Sequence, residues 1–290
     1  MSSVLVTGSN KGIGLATVLE LGRAGHTVYA TMRKLDRGAE LKAAIDKEKL
    51  PIEIHEMDVD SDKSVASAVA AIRARTGFID VLVNNAGIEI VGSVEEFSMA
   101  EFKAIMETNY FGALRCIQAL LPDMRKRKSG CIINVTSVAG RIAASPLGPY
   151  TASKWALEAL SEVLAQEVKP FGIRVAIVEP GIIDTAMARR VSEGKHKKAI
   201  YTNPARWADL FTAVLKTPAH PSYVAEVIRG IVESNTWQLR HPAGPDSKPF
   251  LAWRAGMTDE QWVDFGALDD DTWYQRVKSD FGVDARPKAN

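Results

Sequence analysis

The sequence has little of several features that would assign a protein to a special class. It carries two cysteines, Cys116 and Cys131, in 290 residues, which is too few for a disulfide framework, and neither has a metal-ligand spacing. No apolar run reaches the roughly 18 residues that a membrane span needs. The formal net charge is +1, so no global field favours nucleic acid. We therefore expect no metal, no membrane span and no nucleic-acid partner.

The N-terminal residues do not have the pattern expected of a secretory leader. MSSVLVTGSN reaches a strand-like apolar run almost at once, without a basic segment or a long apolar segment before it. Together with the scarcity of cysteine, this start predicts a cytoplasmic protein.

Short apolar runs alternate with amphipathic stretches up to residue 181. Strands are expected at 3–8, 26–33, 51–59, 79–87, 131–137 and 173–181, and helices at 12–25, 36–49, 61–76, 95–127 and 150–170. The strands are continuous apolar runs, which is typical of a parallel sheet that is covered on both faces. The pattern predicts an α/β fold with one Rossmann-type, doubly wound parallel sheet.

The chain after residue 181 is less regular. Residues 184–235 are expected to be mostly helical, and a last strand is expected within 236–244. The remaining residues carry Trp253, Trp262, Trp273 and Tyr274, and that much aromatic surface should be buried by short helices packing on the main domain. No polar linker precedes them, so we predict a single domain, 1–290, in which 186–290 form a substrate lid and a C-terminal helical extension.

A glycine-rich turn, TGSNKGIG at 7–14, joins the first strand to the first helix. Gly8, Gly12 and Gly14 would allow a tight turn and let the helix N-terminus bind a pyrophosphate through free N–H groups. The alternative is an ordinary strand-to-helix turn.

The second strand ends in Met32 and Arg33 without the acidic residue that accepts a ribose hydroxyl in NAD sites, and Lys11 adds a second cation. These charges favour NADP(H) over NAD(H), unless they are merely solvated.

The stretch PYTASKWALEAL, at 149–160, puts a phenol and an ammonium one helical turn apart. Tyr150 and Lys154 would share a helix face, either as a proton donor beside a charge or as flanks of a buried stripe. Ser137 ends the fifth strand, where it could hydrogen-bond a substrate oxygen or simply cap a turn. Asn109 could satisfy a buried backbone group where one helix meets the next.

Several motifs occur in a specific order, and through them the sequence resembles the short-chain dehydrogenase/reductase family. They are TGSNKGIG, Asp58 in MDV, NNAG at 84–87, Asn109, Ser137, Tyr150-x-x-x-Lys154 and PGIIDT at 180–185. The resemblance covers about residues 3–185 and continues more weakly to about 240. The glycine spacing is similar to that of the compact subgroup. The length of the C-terminal extension is similar, more loosely, to that of the hydroxysteroid and retinol dehydrogenase branch.

This resemblance implies an NADP(H)-dependent oxidoreductase that interconverts a carbonyl and an alcohol. Tyr150 would be the general acid/base, with a pKa lowered from about 10 by Lys154 and the oxidised nicotinamide. Ser137 would orient the substrate oxygen, Lys154 would also hold the nicotinamide ribose, and Asn109 would anchor a proton-relaying water. The cofactor would contact Gly8, Ser9, Asn10, Lys11, Gly12, Ile13, Gly14, Arg33, Asp58, Val59, Asn85, Ala86, Gly87, Tyr150, Lys154, Pro180, Gly181, Ile183 and Thr185.

The substrate pocket is expected to be apolar, which favours a hydrophobic ketone, aldehyde or alcohol. Its wall would come from the apolar loop 138–149 and from Met187, Ile200, Tyr201, Trp207, Phe211 and Leu215. Two alternative functions remain, a reductase of 3-oxoacyl thioesters on acyl carrier protein and a non-catalytic NADP(H) sensor.

The basic runs at 124–130 and 194–199 are interpreted as solvated helix residues. Helices near 108–127 and 150–169 show apolar residues on more than one face, which predicts a homodimer or homotetramer.

Overall fold

The computed structural model describes residues 1–194, 200–201 and 203–287. Its strands are β1 (Ser3–Thr7), β2 (Thr27–Met32), β3 (Ile52–Glu56), β4 (Val81–Asn84), β5 (Gly130–Val135), β6 (Ile173–Pro180) and β7 (Arg240–Ala243). Its helices are α1 (Gly12–Arg23), α2 (Ala39–Glu48), α3 (Asp62–Thr76), α4 (Met99–Met106), α5 (Gly112–Arg127), α6 (Gly148–Val168), α7 (Ala186–Ser192), α8 (Asn203–Val214), α9 (Ser222–Glu233), α10 (Ser247–Ala255), α11 (Asp259–Ala267) and α12 (Asp270–Phe281).

The strands form one parallel sheet, as the sequence predicted, and their order is β3-β2-β1-β4-β5-β6-β7. The order reverses between β1 and β4, because the chain first builds outward to β3 and then returns to the other side of β1. At such a switch point the connections leave in opposite directions and open a crevice at the carboxyl ends of the strands.

Both faces of the sheet are covered by helices. Val18 and Leu21 of α1 and Ile228 of α9 pack on one face, and Ile72 of α3 and Leu120 of α5 pack on the other. Each of these side chains is at most 2% exposed. The two hydrophobic layers explain why the strands are continuous apolar runs, since neither side of the sheet faces water. Both cysteines are buried free thiols within these layers.

The C-terminal helices form a third apolar cluster beside the carboxyl edge of the sheet. Phe265 of α11 and Trp273 and Val277 of α12 are buried together with Leu210 of α8. The indole N–H of Trp262 donates to the carbonyl of Ala143, 2.7 Å away in the loop before α6. The expected packing of the aromatic C-terminal residues is therefore confirmed. No helix within the described residues is apolar and long enough to span a bilayer.

Two helices differ from their expected form. The helix expected over 95–127 is interrupted by a π-helical turn, Glu107–Phe111, between α4 and α5. On α6, Trp155 and Ala159 are exposed, whereas Glu158, which the sequence pattern put among the polar positions, is 4% exposed. Contacts with distant parts of the chain explain the burial of Glu158, because its carboxylate accepts hydrogen bonds from Thr136 at 2.7 Å and from Arg240 at 3.1 Å.

The basic run 124–130 ends α5, as expected, and residues 195–199 of the other basic run lie outside the described residues.

Candidate active site

One continuous cavity lies at the carboxyl ends of the strands, at the switch point of the sheet. It is bounded by the glycine turn before α1, the end of β2, the loop after β4, the ends of β5 and β6, the start of α6 and the C-terminal helices. The sequence-predicted residues that line it are Gly8, Asn10, Lys11, Gly12, Ile13, Gly14, Arg33, Val59, Asn85, Ala86, Gly87, Ser137, Tyr150, Lys154, Pro180, Gly181, Ile183 and Thr185.

The glycines of the turn have no side chains, which leaves open the part of the cavity next to the N-terminus of α1. Gly8 and Gly12 have φ of +68° and +56°, which glycine adopts without steric cost. A Cβ on Gly14 would lie 2.3 Å from the Gly8 carbonyl oxygen and 2.5 Å from the Asn85 amide nitrogen. That amide donates to the carbonyls of Thr7 and Gly8, at 2.9 and 3.1 Å, and so holds the turn against the end of β4.

The start of α1 is suited to an anionic group. No side chain caps the helix N-terminus, so its first backbone N–H groups face the cavity without an intramolecular acceptor from a capping residue. Ser9 does not line the cavity; it is fully buried, and its hydroxyl donates to the carbonyl of Val6 at 2.9 Å. Its observed contacts therefore stabilise the turn, and a direct contact of Ser9 with a cofactor remains a prediction.

Four cationic side chains line the cavity near the C-terminal end of β2. Arg33, Lys34 and Arg37 line this end of the cavity together with Lys11 of the glycine turn, and all four side chains are exposed. No acidic residue lies among the described residues lining this end. The donor set therefore fits a dinucleotide with an additional phosphate. Lys34 and Arg37 were missed by sequence reasoning, although the run MRKLDR, at 32–37, carries the signal.

Asp58 and Val59, after β3, occupy different positions relative to the cavity. Val59 lines it, whereas the Asp58 carboxylate accepts a hydrogen bond from the Asp60 amide at 3.1 Å and Asp58 is not part of the lining. The Asp58 amide donates to the hydroxyl of Ser64 at 2.9 Å. Contact between Asp58 and an adenine remains a prediction.

Ser137, Tyr150 and Lys154 meet on one side of the cavity. The ammonium of Lys154 lies 5.6 Å from the centroid of the Tyr150 ring and donates to the carbonyl of Val135 at 2.9 Å. The Ser137 hydroxyl is hydrogen-bonded to the phenol and also accepts from the Ala139 amide at 3.1 Å. Ser137 therefore caps a turn and also reaches the phenol, and its hydrogen bond to a substrate oxygen stays a prediction.

Burial is the largest cause of the pKa shifts of Tyr150 and Lys154. Desolvation raises the pKa of Tyr150 above its ordinary value, and the nearby carboxylate of Glu89 raises it further, against the hydrogen bond from Ser137. Desolvation likewise lowers the pKa of Lys154 to about 8, while Glu89 and Glu158 oppose that shift. In the chain by itself the pKa of Tyr150 is thus raised by burial, and the lowering expected with the oxidised nicotinamide in place stays a prediction. The phenol is held in its protonated form.

Asn109 sits in the π-helical turn and joins three elements. Its amide oxygen accepts from the Ile88 amide at 2.8 Å, and its amide nitrogen donates to the Ile88 carbonyl at 2.9 Å and to the Ser153 hydroxyl at 3.0 Å. Ser153 in turn donates to the carbonyl of Tyr150 at 2.7 Å. Asn109 does not line the cavity, so the observed contacts make it a positioning residue for the loop after β4 and for α6.

The segment after β6 crosses the cavity above the glycine turn. The Thr185 hydroxyl caps α7 by accepting from the Ala188 amide, and its methyl would lie 3.2 Å from a Cβ on Gly12. Asp246, which sequence reasoning missed, accepts from the Ile182 amide at 2.8 Å and leaves no room for a side chain at Gly181. Asp246 thereby holds the Pro180–Gly181 turn in place.

Aromatic side chains enclose the substrate end of the cavity. The lining there comprises Met187, Trp207, Leu210, Phe211, Phe250, Trp253, Trp262, Phe265, Trp273, Val277 and Phe281. Three residues expected in this wall are not part of it. Ile200 and Tyr201 are exposed, with the Tyr201 hydroxyl donating to Glu95 at 2.9 Å, and Leu215 lies beyond the lining. The C-terminal helices supply aromatic rings in their place.

Glu89 is the one carboxylate among the described residues that line the cavity. It follows NNAG and Ile88 in the loop after β4, and burial raises its pKa to about 7. Sequence reasoning missed it, although an acid within the apolar run GIEIVG, at 87–92, is a visible anomaly.

Comparison with known proteins points to one family. The family described as short chain dehydrogenase matches residues 2–196. A 3-ketodihydrosphingosine reductase of Bacteroides thetaiotaomicron is 36% identical over 83% of this chain and 87% of its own length. Retinol dehydrogenase 8 of Bos taurus is 33% identical over 87% of this chain and 85% of its own length. An actinorhodin polyketide ketoreductase solved with NADPH is 28% identical, with a TM-score of 0.75 over 83% of this chain and 95% of its own.

Proposed function

The chain belongs to the short chain dehydrogenase family and is an oxidoreductase, and on that premise we propose that it interconverts a hydrophobic ketone or aldehyde and the corresponding alcohol with NADP(H). The observation that carries this proposal is that Ser137, Tyr150 and Lys154 face the same cavity as the glycine turn before α1. A cofactor seated on that turn and a carbonyl beside the phenol would therefore share one enclosed space.

The protein's part in the reaction is to bind, orient and move a proton. Bound NADPH supplies the hydride. The Tyr150 phenol, kept protonated by burial, donates its proton to the carbonyl oxygen. Ser137 hydrogen-bonds the same oxygen and stabilises its developing charge. Lys154 holds a positive charge near the resulting phenolate and, as in the family pattern, hydrogen-bonds the nicotinamide ribose. Asn109 keeps the Ile88 loop and α6 in register.

Selection of NADP(H) over NAD(H) is assigned to Arg33 and Lys11, with Lys34 and Arg37 alongside. Guanidinium groups favour a phosphate through charge-assisted, bidentate hydrogen bonds. The cationic lining at the end of β2 and the NADPH in the ketoreductase structure support this assignment.

A hydrophobic substrate is supported by the aromatic lining contributed by α10, α11 and α12. The names of the two relatives above specify carbonyl or alcohol substrates, in agreement with this class. Reduction of a thioester on a carrier protein is less favoured, because side chains of the C-terminal helices enclose part of the cavity.

A homodimer or homotetramer is proposed from apolar side chains that α5 and α6 leave exposed. Trp155 and Val163 of α6 are 47% and 52% exposed, and Phe111, just before α5, is 43% exposed. Residues 155, 159 and 163 repeat at the helical spacing of four and define one face of α6. A twofold contact through this face would bury them. Light scattering at micromolar concentration tests this, and a monomeric mass would contradict it.

NADPH oxidation measured against a substrate panel tests the proposed activity. The panel contains a steroid ketone, a retinoid aldehyde, a simple aliphatic aldehyde and an acetoacetyl thioester, each assayed with NADPH and with NADH. We expect turnover of at least one apolar carbonyl and a higher kcat/KM with NADPH. NADPH binding without turnover of any member would favour a non-catalytic sensor. Preference for the thioester would favour the carrier-protein reductase.

A further inference from the structure

Glu89 brings a negative charge to the reacting end of an otherwise apolar and cationic cavity. Its carboxylate is near enough to Tyr150 and Lys154 to raise the pKa of both groups. It lies on the loop after β4, which Asn109 holds through two hydrogen bonds to the adjacent Ile88. The loop that Asn109 holds therefore carries Glu89 into the lining that it shares with Tyr150.

This carboxylate has no partner among the described residues. It accepts no hydrogen bond, and no cation of the described chain lies within ion-pair distance. Lys154 is turned to the Val135 carbonyl, and Arg190, on α7, is exposed. Burial raises the pKa of Glu89 to about 7 although both cations oppose the shift. The half-buried carboxylate therefore faces the cavity without a hydrogen-bond or ion-pair partner from the described chain, and a ligand in the cavity can supply one.

A ligand group that would compensate Glu89 must donate hydrogen bonds and carry positive charge. A protonated amine does both, and the indole rings that line the same cavity have electron-rich faces that also tolerate a cation. The aromatic side chains beyond Glu89 would accommodate an apolar body on the same molecule.

We propose that Glu89 is a specificity-determining residue that binds a protonated amine next to the reacting carbonyl. The preferred substrates are then amino ketones, or the corresponding amino alcohols, with an apolar body. This inference rests on the proposed carbonyl reduction and adds the chemical class of the substrate. An ammonium in this position would also favour the negative charge that develops on the carbonyl oxygen during hydride transfer.

A matched pair of ketones separates the charge from the shape of the substrate. Octyl aminomethyl ketone and octyl ethyl ketone differ by an ammonium in place of a methyl group. With NADPH, we expect the wild-type protein to prefer the amine by about 10- to 100-fold in kcat/KM, the range of one charge-assisted hydrogen bond. Glu89→Gln should bring this ratio close to one, mainly by raising KM for the amine. The distant, exposed Glu226→Gln should keep the wild-type ratio.

One further variant, Arg190→Gln, and a binding probe test the alternative that Glu89 and Arg190 pair with each other and close the cavity. If the two residues only close the cavity, Arg190→Gln and Glu89→Gln will impair both ketones equally, and that result would overturn the inference. Octylamine, which cannot be reduced, should inhibit the wild-type protein at least 10-fold more strongly than Glu89→Gln. Reduction of the ethyl ketone without preference for the amine would reject this inference alone. Failure to reduce either ketone would reject the proposed function as well.

Discussion

Adding a single methyl group at Gly14 should weaken cofactor binding. In Gly14→Ala the new Cβ would start 2.3 Å from the carbonyl oxygen of Gly8 and 2.5 Å from the side-chain nitrogen of Asn85. Gly8 and Asn85 belong to the glycine turn and to the loop that supports it, so the turn itself must move. Overpacking of this kind typically costs about 1–3 kcal/mol. Because the nearest contact atom belongs to the backbone, we expect a cost in the upper half of that range, and a Kd for NADPH that rises about 30- to 150-fold.

Gly230→Ala is the matched control, because Gly230 lies within α9 and a Cβ there would meet nothing within 4 Å. Both substitutions replace glycine inside a helix and gain about 1 kcal/mol of helix propensity. Only Gly14→Ala should lose NADPH affinity, measured by energy transfer from tryptophan to the nicotinamide, while thermal unfolding shows whether each variant is folded. Gly14→Ala that binds NADPH as tightly as the wild type would refute the assignment of this turn to the cofactor.

Three further predictions concern the cationic side chains at the end of β2, the buried acid Glu179 and the C-terminal helices. Combining Met32→Asp with Arg33→Leu should lower the kcat/KM for NADPH and raise it for NADH; an unchanged cofactor ratio would contradict the role of Arg33. Burial beside Glu158 raises the pKa of Glu179 to about 7 from 4.5, so the folded state retains a proton that the unfolded state loses, and stability should fall as pH rises from about 4.5 to 7. Chemical denaturation at several pH values should show a smaller fall in Glu179→Gln, and an unaltered slope would reject this reading. Trp262→Phe removes the 2.7 Å hydrogen bond to Ala143 while keeping most of the ring, and should raise KM several-fold for apolar substrates without changing the Kd for NADPH.

The sheet could be predicted from the sequence because its strands are buried on both faces and therefore stand out as apolar runs. The observed strands agree with the predicted ones except that several end earlier, as at Asn84, where the expected strand ran to 87. These ends are set by side-chain contacts such as those of Asn85 with the glycine turn, which no local pattern encodes. The motif residues could likewise be located, because their types and order are visible along the chain.

Long-range contacts explain what sequence reasoning missed. Glu158 occupies a polar position in the pattern of α6, and its burial depends on Thr136 and Arg240, which are far from it in sequence. The aromatic residues of the C-terminal helices were expected to pack on the main domain, yet only the folded chain shows them in the lining of the cavity. Glu89 lies on the loop after β4, and its effect on Tyr150 and Lys154 of α6 depends on the folded chain, since the two segments are about 60 residues apart. Hydrophobic periodicity predicts which face of a helix or strand is buried. It does not identify the residues that pack against that face.

Single-turnover reduction by Tyr150→Phe tests the central claim most directly. The substitution removes only the hydroxyl that would give its proton to the carbonyl, and the exposed Tyr223→Phe is the matched control. With enzyme in excess over a substrate that the wild type reduces, stopped-flow absorbance follows the oxidation of bound NADPH. We predict that Tyr150→Phe slows this step by at least about 100-fold, the usual contribution of a general acid, while the Kd for NADPH stays within twofold of the wild type. Hydride transfer at the wild-type rate in Tyr150→Phe would contradict the account.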